Sequence, residues 1–347
     1  RFGDPPGSRH ASRRRPLTCG LLLLDKPLGI SSSGATQRVR RLLRLDKAGH
    51  VGSLDPLATG MLPICLGEAT KIAGEVLEGA KTYSFRVALG ARTATGDVEG
   101  AIVESAPVPP FDAARVRAVL DGFFGETLQV PPMYSALKRD GRPLYEMARA
   151  GITVERAARP ILIERLDLVA SGDRWIDCVV RCGKGTYVRT LAEDIARGLG
   201  TCGHVASLRR DCVEPFQAAG MIGLQDLEAR IKAGECDLPL VSADAAAGHL
   251  PSIHLDDEQA RRIRLGQALR VAPRLDGGDF PVLAVDEAQG PGAVAGPGRE
   301  AAESTPPGEE WTVRLYAPGE AFMGLGWARP DGRVRPKRLF AGGPGAA

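Results

Sequence analysis

An aspartate set directly before a proline constrains this chain more than any other feature. Between Gly49 and Lys71 the sequence runs GHVGSLDPLATGMLPICLGEATK, and Asp55 is its only acid before Glu68. A residue preceding proline is pushed out of the α region towards extended geometry. Asp55 is therefore predicted on a shaped loop and not on a helix face. Loops carried by a rigid scaffold often hold chemistry. The same residues also suit an Asx-turn, in which the carboxylate bonds nearby backbone N–H groups. The loop alone leaves both readings open.

The length, 347 residues, predicts roughly two domains. No apolar run approaches the roughly 20 residues of a membrane helix. The net charge of +3 is mild, but its distribution is uneven. Arginines crowd residues 1–17, the segment Gln37–Lys47 carries Arg38, Arg40, Arg41, Arg44 and Lys47, and Arg333, Arg335, Lys337 and Arg338 stand near the end. Such clusters are either solvated surface or, acting together, a footprint for a polyanion. The seven cysteines include no C-x-x-C pair, and without a zinc spacing or disulfide framework a reducing, cytoplasmic setting is the simplest expectation. Cys178 and Cys182 would share a strand face as core thiols. Residues 1–17 read as a disordered basic arm without the apolar stretch of a secretory signal, although an Arg-rich, acid-poor composition is shared with organellar transit peptides.

Strands are predicted at Leu21–Leu24, Met61–Leu66, Thr82–Leu89, Ala101–Glu104, Ile161–Val169, Trp175–Arg181 and Val205–Cys212, from short apolar or alternating runs. Helices are predicted from Ser31–Ser33 to about Leu45, and over Ala113–Phe123, Tyr187–Leu199 and Leu224–Lys232. The run Pro131–Gly151 mixes aromatics with basic residues and reads as an excursion from the core. Beyond Ser252 a short helix, Asp256–Leu265, precedes strands near Val282–Asp286, Trp311–Tyr316, Ala321–Ala328 and Val334–Leu339, a spacing that suits a small β-barrel. The Gly-, Pro-, Ala- and Glu-rich stretch 289–310 is predicted to be a disordered insertion.

One candidate carboxylate narrows the chemistry. Glycoside hydrolysis usually needs two carboxyl groups, and no second acid is evidently linked to Asp55. The histidines are scattered without metal-ligand spacing, no G-x-S-x-G elbow is present, and Gly183-Lys184-Gly185-Thr186 fails the phosphate-loop pattern. A lone carboxylate does fit an isomerisation in which the base leaves nitrogen, turns and rejoins the sugar through carbon, since no water need be activated. An arginine would suit such a carboxylate as its electrostatic partner.

Several blocks in order then carry a resemblance. Gly49-His50-Val51-Gly52-Ser53-Leu54-Asp55-Pro56-Leu57-Ala58-Thr59-Gly60 resembles the catalytic motif of the bacterial TruB-type tRNA pseudouridine-55 synthases. Asp25-Lys26-Pro27, Lys81-Thr82-Tyr83, Pro132–Lys138, Gly183–Arg189 and Leu208-Arg209-Arg210 are similar to further blocks of that family. The resemblance implies an α+β pseudouridine synthase core, a mixed and largely antiparallel sheet with flanking helices, over residues 18–248. An RNA-contacting insertion at 131–151 and a C-terminal PUA-like small β-barrel over 249–341 would complete it. It implies Asp55 as the catalytic carboxylate, Tyr83 stacking on the flipped uracil, and Arg189 in an ion pair with Asp55. Tyr187 and Leu208 would line the base pocket, His50 would contact RNA beside the extruded base, and Lys26 would lie at the substrate. Read without the resemblance, Tyr83 is an ordinary core tyrosine and Arg189 a surface arginine.

The implied activity is isomerisation of uridine 55 in the TΨC loop, with neither metal nor organic cofactor. The implied partner is tRNA, through its T arm and acceptor stem, bound by a monomer that needs no membrane or protein partner. Two departures stand out: Val51 occupies a position where the family often has a hydroxyl, and Ala94 one where an acid is usual. An RNA-folding factor with secondary isomerase activity, and a guide-RNA-dependent synthase within a complex, remain alternatives.

Overall fold

The computed structural model describes residues 19–235, 237–271 and 310–340. The expected basic arm at 1–17, the strand near Val282–Asp286 and nearly all of the 289–310 insertion lie outside the described residues. The chain divides into two compact units, residues 1–246 and 247–347.

The larger unit is built on a ten-stranded sheet. Its main path runs Ile222–Gly223, Gly20–Lys26, Ala58–Leu66, Gly203–Val213, Lys81–Leu89, Trp175–Cys182, Arg159–Gly172 and Gly125–Gln129. Gly203–Val213 is parallel to Ala58–Leu66, and Gly20–Lys26 is parallel to Ile222–Gly223. The other pairs are antiparallel, so the mixed, largely antiparallel α+β core expected from the sequence is present. Its apolar side chains form one cluster that includes Leu22, Leu24, Leu62, Ile64, Phe85, Val87, Val180 and Leu208. The helix Val188–Gly198 seals it with Val188, Leu191, Ala192, Ile195 and Ala196, all buried. Cys178 and Cys182 are both buried in this cluster as expected, and burial pushes their thiols up to about 12 and about 11.

Several boundaries differ from expectation for physical reasons. The first helix is Ser32–Leu42 and stops short of Leu45. Arg44 adopts φ 53, and the N–H groups of Arg44 and Leu45 donate to Arg41 O and Arg40 O at 3.2 and 3.0 Å. This is a Schellman closure made with arginine where glycine is usual, so the customary stop signal is missing from the sequence. The strand Gly125–Gln129 was not anticipated. Its one large apolar residue, Leu128, is exposed, which inverts the inward alternation by which strands are recognised. The excursion 131–151 is ordered as a hairpin, Lys138–Arg139 with Arg142–Pro143, followed by a short helix, Leu144–Arg149.

In the smaller unit the described strands form a five-stranded sheet in the order Ser252–His254, Trp311–Ala317, Ala321–Ala328, Arg333–Leu339, Leu269–Arg270. The helix Asp257–Arg264 starts at a capping box, in which Asp256 accepts from Gln259 N and the Gln259 side chain accepts from Asp256 N. It buries Ala260 and Ile263 against Val313, Leu315, Met323 and Val334, a PUA-like arrangement. Lys337 lies 4.1 Å over the Trp327 ring, with Arg335 on the same ring at 5.8 Å.

Candidate active site

Asp55 lies between the short strand Ala48–His50 and the sheet strand Ala58–Leu66, and its loop is bonded to residues from elsewhere in the chain. Ser32 accepts from Leu54 N at 2.7 Å and donates to Leu54 O at 2.9 Å. The Pro56 carbonyl accepts from Gly29 N at 2.8 Å and from Lys26 Nζ at 3.4 Å. Arg210, 1% exposed, donates to Gly52 O and Met61 O, both at 2.8 Å. The loop is thus fixed mainly by partners outside itself. Val51 needs no hydroxyl in this frame: its side chain is buried and its N–H donates to Pro63 O at 2.9 Å.

The carboxylate of Asp55 faces Arg189, whose Nε stands 2.9 Å from Oδ2. Arg189 is buried, whereas the Asp55 side chain is 39% exposed, so the pair has one face open to an incoming ligand. The remaining guanidinium nitrogens are also engaged. Nη1 donates to Thr95 O and Nη2 to Tyr134 O, each at 2.7 Å. Burial pushes the Asp55 carboxyl above its ordinary value, and Arg189 opposes that shift. An Asx-turn does not describe this aspartate, since its partner comes from a helix far along the chain.

Tyr83 and Arg210 are opposite one another in the ladder of Lys81–Leu89 and Gly203–Val213. Burial raises the phenol of Tyr83, while the Arg210 charge and side-chain hydrogen bond act the other way. Leu208, two residues before Arg210 on the same sheet face, is buried opposite Phe85 and Ala58. Tyr187 is half-buried at the start of the helix that carries Arg189. His50 is half-buried, with Nδ1 3.1 Å from Thr36 Oγ1 and Nε2 3.2 Å from Ser53 Oγ. Burial, then the Arg210 charge, lowers its pKa and favours the neutral ring.

Lys26, expected at the substrate, is fully buried, and its ammonium donates to the carbonyls of Ile30, Pro27 and Pro56 at 2.7, 3.0 and 3.4 Å. The structure makes it a brace beneath the Asp55 loop. Burial lowers its pKa to about 8, against the attraction of Asp55. Lys184 pairs with Glu78 on the surface, away from any phosphate-loop role.

Sequence reasoning missed a second acid. Asp97 is buried, with Oδ2 3.9 Å from Arg189 Nε, and Oδ1 accepts from Thr95 Oγ1 at 2.5 Å and from Glu99 N at 3.0 Å. Arg189 therefore stands between two carboxylates, and Asp97 shapes the turn whose Thr95 carbonyl accepts from Arg189. Ala94 is exposed in that turn, whose buried acid is Asp97. Arg210 was missed as well, although strand alternation puts it on the Leu208 face, where a charge is out of place. Among the described residues, no group of histidine, cysteine and acidic side chains converges as a metal site would require.

Residues 40–188 match the family described as TruB family pseudouridylate synthase (N terminal domain). Residues 189–238 match the tRNA pseudouridylate synthase B C-terminal domain, and 297–340 the pseudouridine synthase II TruB C-terminal family. The tRNA pseudouridine synthase B of Aromatoleum aromaticum is 43% identical over 96% of this chain and 96% of its own length. That of Chromohalobacter salexigens is 44% identical over 95% of this chain and 97% of its own. The crystal structure of a Cbf5-Nop10-Gar1 complex contains a chain of the same fold, with TM-score 0.67, 21% identity, and coverage of 94% of this chain and 85% of that one. The archaeal box H/ACA sRNP Nop10-Cbf5 complex contains another, at TM-score 0.66, 22% identity, and coverage of 94% and 87%. With near-full-length relatives above 40% identity, this chain belongs to the TruB family of pseudouridine synthases.

Proposed function

We propose that this protein isomerises uridine 55 in the TΨC loop of tRNA to pseudouridine, with Asp55 as the carboxylate that meets the reacting nucleotide. The observation that carries this reading is the Asp55–Arg189 pair at 2.9 Å, closed off by protein on the arginine side and open on the aspartate side. In the reaction the N1–C1′ bond breaks, a C5–C1′ bond forms, the C5 proton leaves and N1 gains one, so atoms balance without water or cofactor. Arg189 keeps the carboxylate charged against its burial and fixes its direction. Tyr83 offers a ring on which the extruded uracil stacks. Flipping a base costs a few kcal/mol, and stacking it on an aromatic ring returns roughly 1–3 kcal/mol. Tyr187 and Leu208 flank that position, and His50 meets the RNA at the loop edge.

The protein acts as a monomer in the cytoplasm and grips tRNA by its T arm and acceptor stem. Arg41, Arg44 and Lys47 are exposed along and after the first helix, and Lys138, Arg139, Arg142 and Arg149 are exposed on the 131–151 segment. Phosphate contacts by such residues position the RNA without reading its sequence and make binding salt-dependent. Arg38 contributes less, being paired with Glu228 at 2.5 Å.

The test is purified protein alone with an unmodified tRNA transcript, followed by mapping of pseudouridine. Wild type should modify position 55 and Asp55→Asn should not. Equal product from both would end the role given to Asp55. Product only after a guide RNA or further proteins are added would favour a guide-dependent synthase.

A further inference from the structure

The helix Val188–Gly198 presents Arg189 in its first turn, yet its N-cap residue, Tyr187, makes no side-chain capping bond. Backbone groups at a helix start need partners from elsewhere. Here they come from Gln129, remote in sequence. Tyr187 N donates to Gln129 Oε1 at 2.8 Å, and Gln129 Nε2 donates to Tyr187 O at 3.2 Å. Both bonds need the amide in one orientation, so the side chain stands in for a peptide group of a neighbouring strand. Gln129 is buried, 4% exposed.

Its place in the chain gives this contact weight. Gln129 ends the strand Gly125–Gln129, opposite Arg159. Pro131 and Pro132 follow almost at once and have no N–H to donate to a ladder, so the chain leaves the sheet there to form the 131–151 segment. Shortly afterwards Tyr134 O accepts from Arg189 Nη2 at 2.7 Å. One stretch, 129–134, therefore grips the helix start twice, through the backbone of Tyr187 and through the guanidinium of Arg189.

We propose that Gln129 is a positioning residue for the reaction, fixing the backbone from which Tyr187 and Arg189 leave and, through Arg189, the direction of the Asp55 carboxylate. The inference rests on the roles given above to Tyr187, Arg189 and Asp55. A helix start set free by even a fraction of an ångström would carry the guanidinium with it. Displacements near 1 Å can cost about a hundredfold in rate.

The experiment compares Gln129→Met, which keeps length but loses both bonds, with Gln129→Glu, which keeps only the acceptor for Tyr187 N. Single-turnover pseudouridine formation and tRNA affinity are measured for each, with thermal melting to select folded variants. Gln129→Met should lose about 10–100-fold in single-turnover rate, with tRNA affinity within about threefold of wild type. Gln129→Glu, whose second oxygen faces Tyr187 O where the amide donated, should lose at least as much in rate and carries the test if the methionine variant does not fold. Added to Arg189→Met, either substitution should cost less than it does in wild type, because the residue it acts through is gone. A wild-type rate in a folded variant, a loss confined to tRNA affinity, or losses that multiply fully with Arg189→Met would each overturn the proposal. Inactive wild type would instead defeat the functional reading itself.

Discussion

Removing the Arg189 guanidinium should act on the pH dependence of the reaction as well as on its rate. In Arg189→Met, Asp55 loses its ion-pair partner at 2.9 Å, and Asp97 loses the cation that stands between the two acids. With charge centres about 4 Å apart and an effective dielectric of about 20, the lost attraction is about 4 kcal/mol. Because the Asp55 side chain is 39% exposed, solvent screening should leave about 1.5–2 kcal/mol of it. Losing that attraction raises the Asp55 pKa. The direction adds to the rise that burial already causes. With Asp55 in the role proposed above, activity is lost as pH falls through its pKa, and the acid limb of the profile should move to higher pH. Loss of a charge-assisted hydrogen bond, about 1.5–3 kcal/mol, should also lower the plateau by about 10–150-fold. Single-turnover release of tritium from C5 of uridine, followed between about pH 5 and pH 9, reads both effects. Filter binding of tRNA should change little. Arg189→Lys should restore much of the acid limb, since it keeps the charge, but not the plateau, since one ammonium cannot serve Asp55, Thr95 O and Tyr134 O together. An unmoved acid limb with weakened tRNA binding would refute the reasoning and make Arg189 a phosphate contact.

Two further outcomes concern the frame around the site. Gly60 has φ +99 opposite Arg210, and an added Cβ would lie 2.2 Å from Arg210 O. Gly60→Ala should therefore destabilise the protein by about 2–5 kcal/mol in urea unfolding, and a loss under about 1 kcal/mol would contradict the close approach. For Lys26 the pKa is about 8 in the folded protein against 10.5 ordinarily. Between these values the unfolded chain holds the proton and the folded one does not, so stability due to this group rises with pH across that window. Relative to Lys26→Met, wild type should gain about 3 kcal/mol between about pH 7.5 and pH 10.5. A difference independent of pH would show that Lys26 is charged throughout.

How much of this was legible in the sequence depended on whether the signal was local. Strands with inward apolar runs, such as Leu21–Leu24, were found within a residue or two because burial and period coincide. The Asp55 loop was visible through Pro56 and its flanking glycines. What the loop does was not, because its partners lie far along the chain and only the sheet brings them together. Arg189 looks like a surface residue until the helix start is placed against the Thr93–Asp97 turn. The family motif supplied that pairing, while spacing alone left it open. Asp97 and Gln129 escaped for a related reason. Each bonds backbone, and a side chain that serves backbone leaves no complementary residue for a reader to match. Lys26 was recognised as part of a motif, but its fully buried ammonium shows that motif membership does not specify which way a side chain faces.

The outside anchoring of the Asp55 loop has a consequence for the timing of disorder. Fixing one residue's backbone removes about 1–2 kcal/mol of conformational freedom. For the stretch around Leu54 and Pro56 that freedom is given up when the core folds, since Ser32, Lys26 and Arg210 are buried in it. None of it has to be given up again at each encounter. In the role proposed for it, the carboxylate would then meet every nucleotide as a fixed surface, and adaptation would fall to the RNA.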